Sequence, residues 1–297
     1  MCGIVGLFLK NKQLEPELGR LTAAMLREMS DRGPDSAGFA VYGDEAEGTK
    51  ITVLSKTGDT DWSDLATRLS GAMGEDVGVK TIGNHALFTT PAEGMGARRW
   101  IIENAPDVTV LAAGKSIELY KGIGVPDRVI EDYKLADRTG THAIAHTRMA
   151  TESAITTAGS HPFSTGEDTC LVHNGSMSNH NRMRDNLRRY GETFQTENDT
   201  EVAAGYLSWR MREGDSINAA LERGLVDFDG FYTFAVGVRD GFAVLRDPIA
   251  CKPAVIAEND DWVAMSSEFR AIAQLPDARQ ANIWEPEPAV IYSWSHS

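Results

Sequence analysis

The chain opens Met1-Cys2-Gly3-Ile4-Val5-Gly6-Leu7-Phe8-Leu9, a cysteine at position two followed at once by seven apolar or glycine residues. A short apolar, β-prone run of this kind reads as a strand. No basic segment precedes it, so it is not a secretory signal. Removal of Met1, which occurs where residue two is small, would leave Cys2 with a thiol and a free α-amine. The reference pKa of an α-amine is roughly 8, against about 8.5 for a thiol. The amine can therefore act as general base, directly or through a water, for the nucleophile on its own residue, and no separate histidine is required.

Beyond this strand, Leu18, Leu21, Met25 and Met29 recur at helical spacing, and Asp31-Arg32-Gly33-Pro34-Asp35 makes a turn into a second strand at 37–42. Trp62, Leu65, Leu69 and Met73 mark another amphipathic helix. From about 74 to 140 glycine is frequent and periodicity weak, and no elements are placed there. Strands are expected at 143–147 and 169–173, and helices at 179–190, 200–211 and 216–225. The segments 231–239, 242–246, 254–258 and 262–266 are short, β-rich and joined by hairpin-type turns, which argues for antiparallel sheet. Helices lying mid-chain between β-rich ends indicate an α+β protein. With no repeat and no linker-like stretch, residues 1–297 read as one domain.

The 297 residues are 42% hydrophobic and 24% charged, with a net charge of −14. Such a balance argues against a nucleic-acid partner, which needs clustered Lys and Arg. No apolar run approaches the roughly 20 residues of a membrane span. Cys2, Cys170 and Cys251 are far apart and form no CxxC pair, so neither a disulfide framework nor a metal cluster is expected within this chain. A reducing cytoplasm is the natural compartment. Cys170 and Cys251 read as small buried hydrophobes.

Three further stretches carry chemistry. Arg148, in His146-Thr147-Arg148-Met149-Ala150-Thr151, emerges at the end of an apolar strand, where a guanidinium fork can hold a carboxylate; taken alone, such an arginine more often makes a surface salt bridge. Leu171-Val172-His173-Asn174-Gly175-Ser176 ends a strand in Asn-Gly, offering a side-chain amide beside an unhindered backbone N–H, the pair an oxyanion hole needs. Asn-Gly is also a common turn. Asp199, in Thr196-Glu197-Asn198-Asp199-Thr200-Glu201, is either a helix N-cap or a fixed anion for a substrate ammonium. Together these supply a nucleophile with its own base, a cation, an anion and an oxyanion pair, a set that fits glutamine.

Taken in order, these stretches resemble the class II glutamine amidotransferases. Cys2-Gly3-Ile4-Val5-Gly6 is similar to that family's nucleophile strand, and Asp31-Arg32-Gly33-Pro34-Asp35-Ser36-Ala37-Gly38 to its arginine-containing loop. Leu245-Arg246-Asp247-Pro248-Ile249-Ala250-Cys251-Lys252-Pro253 and Ser266-Ser267-Glu268 look like its late motifs. The resemblance implies an N-terminal-nucleophile hydrolase fold, a four-layer αββα sandwich of two antiparallel sheets between helices, with a long insertion at about 44–140. It also implies roles: Cys2 as nucleophile forming a glutamyl thioester, and Asn174 and Gly175 as the oxyanion hole. Arg148, with Thr151 nearby, would take the glutamine carboxylate and Asp199 its ammonium, while Arg32 and His173 would complete the substrate site. Met149 stands where relatives often carry an aromatic residue and Asn198 where threonine is frequent, which bears on affinity more than on chemistry.

The chain stops shortly after these motifs, so the ammonia acceptor is expected on another polypeptide. The resemblance is nearest to separate amidotransferase subunits of glutamate-synthase-like systems, N-methylglutamate synthase among them. It implies a hetero-oligomer whose partner synthase holds FMN and an iron–sulfur cluster, with no cofactor in this chain. An amide hydrolase acting alone and a catalytically inactive scaffold subunit are the rival readings. Gly114-Lys115-Ser116 mimics the end of a phosphate-binding loop, but Thr109 stands where its first glycine belongs. The histidines have no carboxylate companions at ligand spacing, so no metal is expected.

Overall fold

The computed structural model describes residues 2–92, 94–149 and 155–296. Met1 and Thr151 lie outside them. In chain order the first strands are β1 (Gly3–Leu9), β2 (Ser36–Tyr42), β3 (Thr49–Ser55), β4 (Gly78–Ile82) and β5 (His85–Thr90). Next come β6 (Val108–Gly114), β7 (Ile117–Ile123), β8 (His142–Arg148), β9 (Cys170–Met177) and β10 (Gly230–Val238). The last are β11 (Gly241–Arg246), β12 (Val255–Glu258), β13 (Trp262–Ser266), β14 (Asn282–Trp284) and β15 (Ile291–Ser295). The helices are α1 (Leu18–Arg27), α2 (Trp62–Met73), α3 (Gly96–Asn104) and α4 (Pro126–Asp132), followed by α5 (His180–Arg189), α6 (Asp199–Arg212), α7 (Ile217–Asp227) and α8 (Phe269–Ile272).

β1 lies at the centre of a seven-stranded sheet ordered β14-β12-β13-β1-β8-β2-β7, between β13 and β8, and antiparallel to both. Its two faces enter different cores because side chains alternate along a strand. Val5, Leu7 and Leu9 pack with Leu21, Met25 and Leu26 of α1, whereas Ile4 and Phe8 meet Val172, Phe242 and Val244 of the second sheet. That sheet, ordered β15-β11-β10-β9, turns its other face (Leu171, Phe234, Leu245) onto Leu187, Val202 and Leu221 of α5, α6 and α7. Helix, sheet, sheet, helix is the expected αββα sandwich. The strand nearest the N-terminus is thus buried along its whole length between two cores, and Cys2 stands immediately before it.

The stretch from about 74 to 140, in which no elements were placed, holds β4 to β7, α3 and α4 among the described residues. Residues 49–114 build a third sheet, β4-β5-β3-β6, whose own core of Ile51, Val53, Phe88 and Val110 is closed by Leu65 and Leu69 of α2 and Ile101 of α3. β7 then returns to the edge of the main sheet beside β2. The body grips this third sheet with polar hands. Gln195 bonds both the N–H (3.0 Å) and the carbonyl (2.8 Å) of Val110, as a neighbouring strand would. The buried Asp168 carboxylate accepts the backbone N–H groups of Lys115, Ser116 and Ile117 at 2.8, 2.9 and 3.0 Å. Burial alone would raise its pKa, but these bonds and Arg239 hold it below the usual carboxylate value. The Gly-Lys-Ser turn therefore does cradle an anion, and the anion belongs to the protein.

One smaller expectation fails, and one of the two readings left open for Asp199 is removed. Cys170 is buried, donated to by the Tyr42 hydroxyl at 3.3 Å, but Cys251 is exposed, in the loop that leads to β12. The N-cap of α6 is Asn198, whose side chain accepts the Thr200 N–H at 2.8 Å. Asp199 is released from that duty.

Candidate active site

The peptide carbonyl of Cys2 is held from two sides, by Arg32 Nε at 2.9 Å and Asn174 Nδ2 at 3.1 Å. Gly3 N–H donates to Thr147 Oγ1 (3.2 Å) and Ile4 N–H to Ser267 Oγ (3.0 Å). These bonds pin β1 to its neighbours at the residues that follow the cysteine and explain why the late Ser-Ser-Glu stretch belongs with the opening strand. Arg32 is buried and bridges onward to Glu268 at 2.6 Å; that hydrogen bond, with Arg270 nearby, holds the Glu268 carboxyl below its ordinary pKa. The Cys2 thiol itself is half-buried, and its sulfur accepts the Met149 N–H at 3.4 Å.

The thiol opens on a cavity of about 740 Å³, within the size range of small-molecule sites. Arg148, His173, Gly175, Asp199 and Thr200 line the same cavity. Arg148 ends β8, and its backbone carbonyl accepts the Asp35 N–H at 3.1 Å. Asp199 sits in the first turn of α6, where the helix dipole favours a carboxylate. Its Oδ2 accepts the Met177 N–H at 3.0 Å, and its side chain remains 23% exposed. The cavity thus carries a cation and an anion on separate elements, each fixed by backbone contacts.

Gly175 occupies a backbone conformation (φ 142°) that side chains rarely adopt, and a Cβ there would fall 1.9 Å from the Phe231 carbonyl. Glycine is needed where β9 passes Tyr232 of β10. Behind this point Asp247 accepts the Tyr232 and Ile249 N–H groups at 3.1 and 2.8 Å, which gives the Arg-Asp-Pro stretch its place in the site.

Asn174 is arranged otherwise than an open oxyanion donor. Its Oδ1 faces His146 Nε2 at 3.2 Å, and its Nδ2 donates to both the Cys2 carbonyl and Ser267 Oγ. Both amide hydrogens are committed to holding the opening strand. His146 Nε2 must then donate, since the oxygen opposite it can only accept. Its ring is buried, and burial pulls its pKa down to about 3.

The histidines form a neutral cluster at the base of the cavity. Thr200 Oγ1 lies between His173 Nδ1 (3.0 Å) and His161 Nε2 (3.1 Å), and the His146 and His161 rings are 4.2 Å apart. Desolvation lowers the pKa of His161 and His173 as well, against the attraction of Asp199 for the latter. His161 carries no motif of its own in the sequence, and Thr200 stands in the Asp199 stretch without a role read for it. Only the fold brings them under His173. Among the described residues no group of three His, Cys, Asp or Glu could hold a metal, and no helix is long and apolar enough to cross a membrane.

The chain is similar to known proteins both in sequence and in fold. A family model for the glutamine amidotransferase domain matches residues 131–285. The glutamine amidotransferase-like protein GlxB of Rhizobium meliloti is 52% identical over 298 residues, covering 100% of this chain and 99% of that one. A candidate glutamine amidotransferase of Methanothermobacter thermautotrophicus is 32% identical, covering 98% and 99%. The solved glutamine phosphoribosylpyrophosphate amidotransferase of B. subtilis superimposes with a TM-score of 0.61 at 19% identity, over 99% of this chain and 49% of its own. At that identity the likeness concerns the fold, and the chain spans about half the length of that protein. A sequence relative matched end to end, a family model and a shared fold lead to one assignment: the chain belongs to the class II glutamine amidotransferases, enzymes with the N-terminal-nucleophile hydrolase fold.

Proposed function

We propose that the chain hydrolyses L-glutamine to glutamate and ammonia through Cys2 and hands the ammonia to a partner synthase. The observation that carries the reading is the shared cavity: Cys2, Arg148, Gly175 and Asp199 line one space, with the thiol at its wall. Arg148 would take the glutamine α-carboxylate in two parallel bonds and Asp199 the α-ammonium, leaving the side-chain amide toward Cys2. The α-amine of Cys2 would accept the thiol proton as sulfur attacks the amide carbon. The Gly175 N–H and a reoriented Asn174 amide would stabilise the oxyanion. The C–N bond then breaks, ammonia leaves with the proton from the α-ammonium, and water attacks the thioester with the same amine as base to free glutamate. Arg32 and His173 would act from behind, Arg32 on the Cys2 carbonyl and His173 through Thr200.

In this proposal residues 1–297 form one domain working in the cytoplasm within a hetero-oligomer. The partner is of the glutamate-synthase type, N-methylglutamate synthase being the nearest resemblance, and it carries FMN and the iron–sulfur cluster. Thr151, beside Arg148 in sequence, belongs to the carboxylate site in the same reading. Co-purification from the native cell tests the assembly: a flavin- and iron-containing synthase chain is expected, and a chain that purifies alone at full activity would favour an independent amide hydrolase.

The ammonium contact has its own test. Asp199→Asn is expected to raise the glutamine KM about 10- to 100-fold with kcat changed little, the loss of one charge-assisted bond to substrate. Asparagine can keep the Met177 N–H bond through its oxygen, so its NH₂ would face the substrate ammonium. An unchanged KM would remove Asp199 from the substrate site.

A further inference from the structure

Lys121 lies in β7 and is 2% exposed. Its Nζ donates to the carbonyl oxygens of Ala158 (2.9 Å), Ser160 (2.8 Å) and Pro162 (3.3 Å), and lies 4.3 Å from the centre of the Phe163 ring. These acceptors alternate along one segment, whose residues Ala158, Gly159 and His161 line the Cys2 cavity. An ammonium has three donors and no acceptor, and here each donor meets a carbonyl of that wall. β2 makes room for the arrangement at Gly38, where a Cβ would lie 2.3 Å from the His161 carbonyl and 2.6 Å from Lys121 Cβ. No carboxylate bonds the ammonium among the described residues. A charge buried without an ion-pair partner is costly, and an apolar side chain would fill the space without that cost.

The charged and titratable groups facing Lys121 come from four elements. Glu201 of α6 attracts it and Arg148 of β8 repels it. His85 of β5 accepts the Lys121 backbone N–H at 3.5 Å, and His161 belongs to the caged segment. Both rings are neutral, His85 through burial to a pKa of about 3 and His161 through burial to well below its ordinary value. The remaining rings of the cavity, His146 and His173, are likewise depressed, so none of the four titrates above neutrality. Desolvation, opposed by Glu201, brings Lys121 itself to about 7.

We propose that Lys121 is a positioning residue for glutamine: its ammonium gathers the 158–162 carbonyls into the cavity wall, and loss of its proton or of its side chain loosens that wall. The inference rests on the glutaminase reading above. Below the lysine's pKa three donors meet three acceptors. Above it a lone pair faces one carbonyl, so binding weakens as pH rises. In the intact protein the glutamine KM is expected to rise about tenfold between pH 6.5 and 8.5, the worth of one charge-assisted bond. Deprotonation of the Cys2 amine, by contrast, acts on kcat.

Lys121→Met is expected to show the high KM already at pH 6.5 and no further rise, with kcat within about twofold at each pH. A merely structural lysine would not impose this pH dependence. A KM flat from pH 6.5 to 8.5 in the unaltered protein overturns the proposal, and that profile decides the matter even if the variant does not fold. A Lys121→Met enzyme with the original KM and profile also overturns it, while leaving the glutaminase reading intact. Absence of any glutamine hydrolysis by the unaltered protein would end both.

Discussion

Cys2→Ala is expected to lose glutamine hydrolysis by about 10³-fold or more, since neither Cys170 nor Cys251 lines the cavity. The fold should barely notice. The thiol is half-buried; truncation gives up the Met149 N–H contact of the sulfur but keeps the bonds from Arg32 and Asn174 to the residue's backbone carbonyl. Thermal unfolding should therefore shift little while the activity vanishes. In the proposed assembly, synthesis from free ammonia should persist in the variant while synthesis from glutamine fails. Equal loss of both would contradict the division of labour between this chain and its partner.

The second large effect is on stability at low pH. His85, His142 and His146 are buried, and desolvation brings each to a pKa of about 3. In the unfolded chain each would titrate near 6.5. Between those values the unfolded state binds more protons, so stability is complete above about pH 6.5 and is lost as pH falls. At pH 5 the deficit is about 2 kcal/mol for each ring, or about 6 kcal/mol for the three. That is comparable with the entire stability of an ordinary domain, about 5–15 kcal/mol. His142 shows why a neutral ring is preferred: Nε2 meets the Val238 carbonyl at 2.8 Å, the Thr141 hydroxyl meets Nδ1 at 2.8 Å, and the ring stacks on Tyr42 at 4.0 Å. Cooperative unfolding between about pH 6 and 4 is expected by circular dichroism. A native spectrum retained at pH 3.5 would show that these rings are not held neutral.

Much of this architecture is written locally. β1, α2 and β13 lie where the apolar run or the 3-4 spacing puts them, because each is buried along a continuous face and bounded by turn residues. The candidate site residues are legible for a related reason. Cys2, Arg148 and Asp199 stand at the ends of elements, where turn and capping chemistry leaves a signal in a few adjacent residues, whereas Gly175, read as a strand end from its Asn-Gly pair, lies inside β9, which runs on to Met177. The region 74–140 hides its strands because their burial is satisfied at long range. Glu118 of β7 is bonded by Arg138 at 2.9 Å, and Lys121, three positions on, spends its charge on carbonyls near residue 160. Two charges in a seven-residue strand look like a solvated stretch until the partners are known. β4 is mostly exposed and carries little apolar pattern at all. The Thr200 link between His161 and His173, and the grip of Asn174 on Cys2, join residues 27 to 172 positions apart, and no local spacing announces them.

The central claim concerns one sulfur atom beside one terminal amine. Treating the protein with a diazoketone analogue of glutamine, which alkylates the thiolate that attacks it, and mapping the label by peptide mass analysis tests it most directly. The account predicts a single label on Cys2 of a chain lacking Met1, suppressed by excess glutamine. Label on Cys170 or Cys251, or Met1 still attached throughout the labelled protein, would contradict it.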